Sequence, residues 1–126
     1  MIIIDCYCGS SKQFRDCCEP IIKGAYNATT AVTLMRSRYS AYATLHADYL
    51  QATTHISTRK FYSIDDILQW ATSNHWQKLE VLHATENTVG FKAYYLDDNG
   101  QNQIHHELSS FVFENGSWFY VDGKFF

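Results

Sequence analysis

Cys6, Cys8, Cys17 and Cys18 are the only cysteines of the chain, and all four fall within thirteen residues. One residue separates the first pair, eight separate the pairs, and the last two are adjacent. Thiolates are preferred zinc ligands, and four of them complete a tetrahedral shell with no position left for water. The expected site is therefore a structural zinc ion (Zn2+) rather than a catalytic one. Two disulfides are the alternative, and they need an oxidising compartment. Gly9, Ser10 and Ser11 suit a tight loop between the pairs. Phe14 is placed to cover the metal, and Pro20 is expected to stop helix formation after Cys18.

Other residues have types that could do chemistry. Arg36 and Arg38 suit a carboxylate or other anion, since guanidinium binds such groups with two parallel bonds. They equally suit an anchor from a helix to Asp48, Glu107 or a backbone carbonyl, which is the expected role. His105-His106-Glu107 reads as part of a strand. Successive strand residues face opposite sides, so His105, Glu107 and Ser109 share one face and His106, Leu108 and Ser110 the other. If the first set lines a cavity, Glu107 and a histidine could serve as base and acid. No spacing forces them together, so an enzymatic role is not the expectation. His55 with Ser57 and Thr58 reads as a turn or cap. Tyr39, Tyr42, Tyr49, Trp118 and Tyr120 would line any space between helix and sheet, or pack in the core with their polar tips satisfied.

The elements that must position these residues are legible from periodicity. Thr30 can cap a helix expected over residues 31–53, with an apolar stripe through Leu34, Met35, Tyr39, Tyr42, Leu45, His46 and Tyr49. Ser63 followed by Asp66 resembles a capping box, with Asp65 also favouring a helix start. Ile64, Ile67, Leu68 and Ala71 are expected to face inward, and Asn74 to end that helix. From Trp76 the period becomes two, through Leu79, Val81 and His83, then Val89, Phe91, Ala93 and Tyr95. Residues 103–114 and 117–122 complete four strands. Asn115-Gly116 is a strong two-residue hairpin signal. Helices followed by an antiparallel meander make an α+β fold.

Composition narrows the function classes. The chain has 126 residues, 16 % of them aromatic, which suits one domain with a sizeable core. A net charge of -3 and the lack of a basic run argue against nucleic acid as partner. The opening Met1-Ile2-Ile3-Ile4-Asp5 lacks the pattern of a signal peptide, and no run is long enough to span a membrane. The expected location is the cytoplasm.

Residues 6–18 resemble the SEC-C motif, named for the C-terminal tail of the SecA preprotein translocase. Ser11 stands where that motif usually has glycine, and Gln13 where it usually has lysine. The resemblance implies that Cys6, Cys8, Cys17 and Cys18 hold zinc and that the knuckle docks on a protein partner. Residues 34–42, Leu-Met-Arg-Ser-Arg-Tyr-Ser-Ala-Tyr, resemble a block of the YchJ family of uncharacterised bacterial proteins. Asp48-Tyr49-Leu50, Thr54-His55, Ser57-Thr58-Arg59, His106-Glu107, Ser109, Phe111 and the run from Gly116 to Gly123 continue the likeness. Relatives tend to have arginine at the positions of Leu108 and Ser110, and many carry a second cysteine motif beyond the last strand, whereas this sequence ends at Phe126.

The element order is similar to that of the nuclear-transport-factor-2-like (NTF2-like) superfamily, in which a curved sheet wraps helices and encloses a pocket. The implied organisation is a knuckle over residues 1–20, a linker over 21–30 and a cone-shaped domain over 31–126. Two roles follow as expectations. The first is an adaptor that binds protein through the knuckle. The alternative is a small-molecule binder or enzyme using a pocket lined by Arg36, Arg38, Tyr39, Tyr42, His55, Glu107, Ser109 and Trp118.

Overall fold

The computed structural model describes residues 4–126, so the Met1-Ile2-Ile3 run weighed above lies outside the described residues. The helices come first: α1 (Cys18–Ile22), α2 (Ala31–Ala43), α3 (Ala47–Ala52), α4 (Ile56–Arg59) and α5 (Ile64–Ser73). The strands follow: β1 (His75–Ala84), β2 (Thr88–Leu96), β3 (Asn102–Glu114) and β4 (Ser117–Phe125). They form one antiparallel sheet in sequence order. Irregular register at Trp76/Lys78 and Val81/His83 in β1, and at Val121 of β4 opposite Ser110/Phe111, bends the sheet. Asn115 and Gly116, with φ of 53° and 80°, make the turn between β3 and β4, the left-handed pair that a two-residue hairpin demands.

Two helix starts follow the sequence signals. Thr30 Oγ1 accepts the Thr33 backbone N–H at 3.1 Å. Ser63 Oγ accepts that of Asp66 at 3.1 Å, with Asp65 and Asp66 in the positive first turn of α5.

The single helix expected over 31–53 is two helices. Leu45 takes φ 65°, and the His46 N–H reaches back to the Ala41 carbonyl at 2.8 Å while the Leu45 N–H reaches Tyr42. This is a Schellman closure. Leucine occupies the left-handed position where glycine is usual, so no breaker marks it in the sequence. Leu45 is consequently exposed rather than part of the buried stripe.

Pro20 does not end α1 but lies in its first turn, where the missing N–H has no helical partner to lose. Ile64 and Leu68 of α5, expected inward, are exposed, while Ile67 and Ala71 are buried.

The stretch expected as a linker over 21–30 begins inside α1 and is tied to β4. Asn27 Nδ2 donates to Ser117 Oγ at 3.1 Å, and Trp118 Nε1 donates to the Thr29 carbonyl at 3.3 Å.

The larger of two core clusters joins the knuckle, α2 and the sheet, while Ala41, Ala47, Leu50 and Ile67 form a second one between α2, α3 and α5. Cys6, Cys8, Cys18 and Ile21 belong to the larger one together with Leu34, Met35 and Tyr39 of α2 and Leu79, Ala93, Phe111 and Tyr120 of the sheet. The knuckle is thus a layer of the core on the far side of α2. No helix among the described residues is long and apolar enough to cross a membrane.

Candidate functional site

The knuckle is built by a short antiparallel bridge between Asp5 and Gln13, closed by the Cys6 N–H donating to the Lys12 carbonyl at 2.8 Å. Gly9 and Ser11 take φ of 78° and 71° to turn the loop. A single 3₁₀ turn over Phe14–Asp16 then brings Cys17 and Cys18 back to the first pair. The four Sγ atoms lie within 4.8 Å of one another.

The Sγ of Cys8 is 3.7 Å from that of Cys17, which is 3.9 Å from that of Cys18. A metal bound by four thiolates at about 2.3 Å places them roughly 3.8 Å apart, so these separations fit the edges of such a tetrahedron. Ser10 Oγ, 3.2 Å from Cys17 Sγ, can donate to a thiolate there. Hydrogen bonds from Cys18 and Cys6 hold the Cys8 thiol well below its ordinary value, while the contacts with Cys6 and Cys8 and its burial push Cys18 up. A cluster that already favours one thiolate is suited to a cation. Phe14 packs edge-on against Tyr7, with ring centroids 5.2 Å apart.

Two residues of α2 fasten the knuckle. Arg36 Nη1 donates to the Cys8 carbonyl at 2.6 Å, and Ser40 Oγ lies 3.6 Å from Cys6 Sγ. Arg36 is therefore an anchor to a backbone carbonyl and does not line the cavity on the other side of the helix.

That cavity, of about 290 Å³, lies between α2, α5 and the concave face of the sheet. Of the residues expected in a pocket, it brings together Arg38, Tyr39, Tyr42, Glu107 and Ser109. His105 lines it too, on the strand face assigned from alternation. Trp76, Phe91, Phe111 and Tyr120 are among its aromatic walls, and Phe61 and Phe125, 69 % and 65 % exposed, stand at the mouth.

His55 and Trp118 are elsewhere. His55 caps α4, its Nδ1 accepting the Ser57 N–H at 3.2 Å and its Nε2 lying 3.0 Å from Glu114 Oε2. Trp118 shares the concave face but stacks with Phe113 and lines a smaller cavity near Asn27 and Tyr49.

Glu107 is 6 % exposed and fully engaged. Its Oε2 accepts the hydroxyls of Ser109 and of Tyr120, the latter at 2.9 Å, and its Oε1 lies 2.7 Å from His105 Nε2. Burial pushes this carboxyl up, but the bonds from His105, Ser109 and Tyr120 outweigh it and leave the group below its ordinary value. Glu107 thus stays an anion at neutral pH. The Tyr120 hydroxyl is pushed far up by burial and by the Glu107 charge, so it remains a donor.

Arg38 Nη1 donates to the Leu50 carbonyl at 2.8 Å and to Thr53 Oγ1 at 2.7 Å, and the guanidinium lies 4.6 Å from the Tyr120 ring centre. Burial pushes Tyr39 up to about 12, with the Cys8 charge adding to it. Burial raises Tyr42 as well, against the pull of Arg38 and with the push of Glu107 and Tyr62.

Gly123 is the site residue whose role the sequence did not disclose. It pairs with Ser109 across β3 and β4, and the Glu107 carboxyl fills the space where its side chain would stand.

A cysteine knuckle packed behind the central helix of an NTF2-like cone defines the class of protein. The family model of the YchJ middle NTF2-like domain matches residues 30–123. The chain belongs to the YchJ family. It is 40 % identical over 125 residues to a UPF0225 protein of Geobacter sulfurreducens, covering 94 % of this chain and 77 % of the relative. A UPF0225 protein of Vibrio parahaemolyticus is 39 % identical over 126 residues, covering 95 % and 74 %.

Two solved structures share the fold. A SEC-C motif containing protein from Rhodopseudomonas palustris, solved in solution, matches with a TM-score of 0.88 and 34 % identity over 96 % of this chain and 98 % of that one. The crystal structure of a SEC-C motif containing protein from Psychrobacter arcticus matches at 0.81 and 32 %, over 93 % and 80 %.

Proposed function

We propose that this chain is a cytoplasmic small-molecule-binding protein, in which a structural zinc ion fastens the knuckle to the cone and the cavity beneath α2 takes the ligand. The observation that carries the reading is the cavity itself: about 290 Å³, lined largely by aromatic residues, with a few polar groups from α2, α5 and β3. Concave, mostly apolar sites with few polar groups are the usual form of ligand pockets. Binding is favoured over turnover because Glu107, the buried carboxylate, already has both oxygens occupied by protein donors.

The test uses the neutral fluorophore N-phenylnaphthylamine. Its emission should rise on mixing with the protein and stay low with Ala93→Phe, which fills the cavity from β2. A wild type that leaves the probe dark, or a variant that binds it equally well, removes the reading.

The zinc assignment rests on the four clustered thiols and on the preference of all-cysteine sets for that ion. The reducing cytoplasm keeps such thiols available. Native mass spectrometry of untagged protein should find one zinc per chain. Four freely titrating thiols and no bound metal would refute it.

A docking role for the knuckle has one supporting feature. Its outer loop keeps Tyr7 38 % exposed, and Lys12 is exposed as well. Replacing Tyr7 and Lys12 together by alanine leaves the buried ligands intact. A partner captured from extract by the wild type and lost with that variant supports docking; identical captures dismiss it.

A further inference from the structure

The chemistry of the ligand can be taken a step further, on the assumption that the cavity is a ligand site. Arg38 is only 9 % exposed, yet its acceptors are all neutral: the Leu50 carbonyl and the hydroxyls of Thr53 and Thr54, each reached through Nη1. The ion pairs among the described residues join Lys23 to Glu19, His55 to Glu114 and His105 to Glu107, so no carboxylate pairs with Arg38. A buried charge without a counter-ion is costly, and a bound anion relieves that cost.

Hydrogen-bonding capacity points the same way. Glu107, the deep acceptor, is already served by His105, Ser109 and Tyr120. Among the buried groups what remains open are chiefly donors, while the Asp66 carboxylate, which also lines the cavity, is exposed on α5. Arg38 Nη2 and Nε and the hydroxyls of Tyr39 and Tyr42 have no partner among the described residues. No polar side-chain atom of those residues is fully buried without one, so these groups keep some exposure, and all three residues line the cavity. The walls are flat rings, and about 290 Å³ lies near the small end of ligand sites.

We propose that the cavity takes a small aromatic carboxylate, its oxygens on the free edge of Arg38 and the Tyr42 hydroxyl and its ring against Trp76 and Phe91. An organic cation drawn to Glu107 and the aromatic faces is the competing ligand, and the experiment includes it.

Phenylacetate, phenylacetamide and phenethylammonium are titrated into the full chain, followed by calorimetry and by the fluorescence of Trp70 and Trp76. Phenylacetate should bind at least ~10-fold more tightly than the other two, because only it satisfies the guanidinium with a charge-assisted pair. Tyr42→Phe should weaken phenylacetate by roughly 3–10-fold, the loss of one hydrogen bond to a charged group, while the fluorophore still binds. Arg38→Lys keeps the charge but loses the fork and should shrink the preference for the acid over the amide.

Equal or tighter binding of the amide or the ammonium overturns the inference, as does no binding of the acid. If the neutral fluorophore still binds in those cases, the pocket reading survives and only the ligand class falls. If the fluorophore fails too, both fall.

Discussion

Gly123 stands opposite Ser109 in the β3–β4 pair, and the Glu107 carboxylate lies over it where a Cβ would overlap Oε2. The absence of a side chain at 123 is what lets Glu107 turn back along the strand to meet Ser109 and Tyr120. Gly123→Ala should therefore cost about 1–3 kcal/mol, the range for forcing atoms into a packed site. Urea unfolding measures it. Glu107→Ala removes the clash, so the double variant should be clearly less destabilised than the two single losses added together. Simple additivity would disconnect the two residues.

Acid sensitivity follows from the same carboxylate. The folded protein holds Glu107 below the ordinary value of 4.5, so the unfolded chain binds its proton more readily. The stabilisation is complete above that value and is lost as pH falls through the lower folded value. Glu107→Gln should consequently show a shallower loss of stability than wild type on acidification below about pH 4.5. Loss of metal in acid affects both chains and drops out of the comparison. Parallel acid limbs in urea melts would contradict the assignment.

Ser11 carries φ 71°, a conformation that glycine adopts without strain. Relief of the left-handed strain is worth about 1–2 kcal/mol and the added freedom of the unfolded chain takes back part of it. Ser11→Gly should stabilise the protein by roughly 0.5–1 kcal/mol, read as an upward shift of the thermal midpoint at fixed metal content. An unchanged or lowered midpoint would mean that the serine side chain compensates for its backbone.

Metal removal should be felt beyond the knuckle. Cys6, Cys8 and Cys18 share a core with Leu34, Met35 and Leu79, and Arg36 ties the Cys8 carbonyl to α2. Stripping the ion with a strong chelator should lower the thermal midpoint and loosen the amide protons of α2 as well as those of residues 5–18. Arg36→Ala should cost about 1.5–3 kcal/mol with metal bound, the value of a hydrogen bond from a charged donor. Exchange confined to the loop would show that the helix stands without it.

Local chemistry was legible where a residue announces its own geometry. The cysteine spacing, the Thr30 and Ser63 caps, the Asn115-Gly116 hairpin and the shared face of His105, Glu107 and Ser109 all appear as read. What escaped depends on tertiary position. Leu45 breaks a helix from the left-handed region without being glycine, and Pro20 sits in a first turn that needs no N–H. Arg36 and Arg38 are two positions apart on one helix and so face different layers, which their matching types conceal. Trp118 lies past the end of the cavity along the sheet, and only the Phe113–Trp118 register shows it.

No residue of α2 is fully exposed; every position from 31 to 43 is buried or half-buried. One side of it grips the cysteines and the other roofs the cavity. Such a helix has little freedom to drift, because a change that suits one neighbour disturbs the other. Lineages of this fold should therefore rewrite α5, with its exposed Ile64, Leu68 and Trp70, far more readily than the thirteen residues of α2. A saturation library selected only for soluble expression should reproduce that contrast in mutational tolerance.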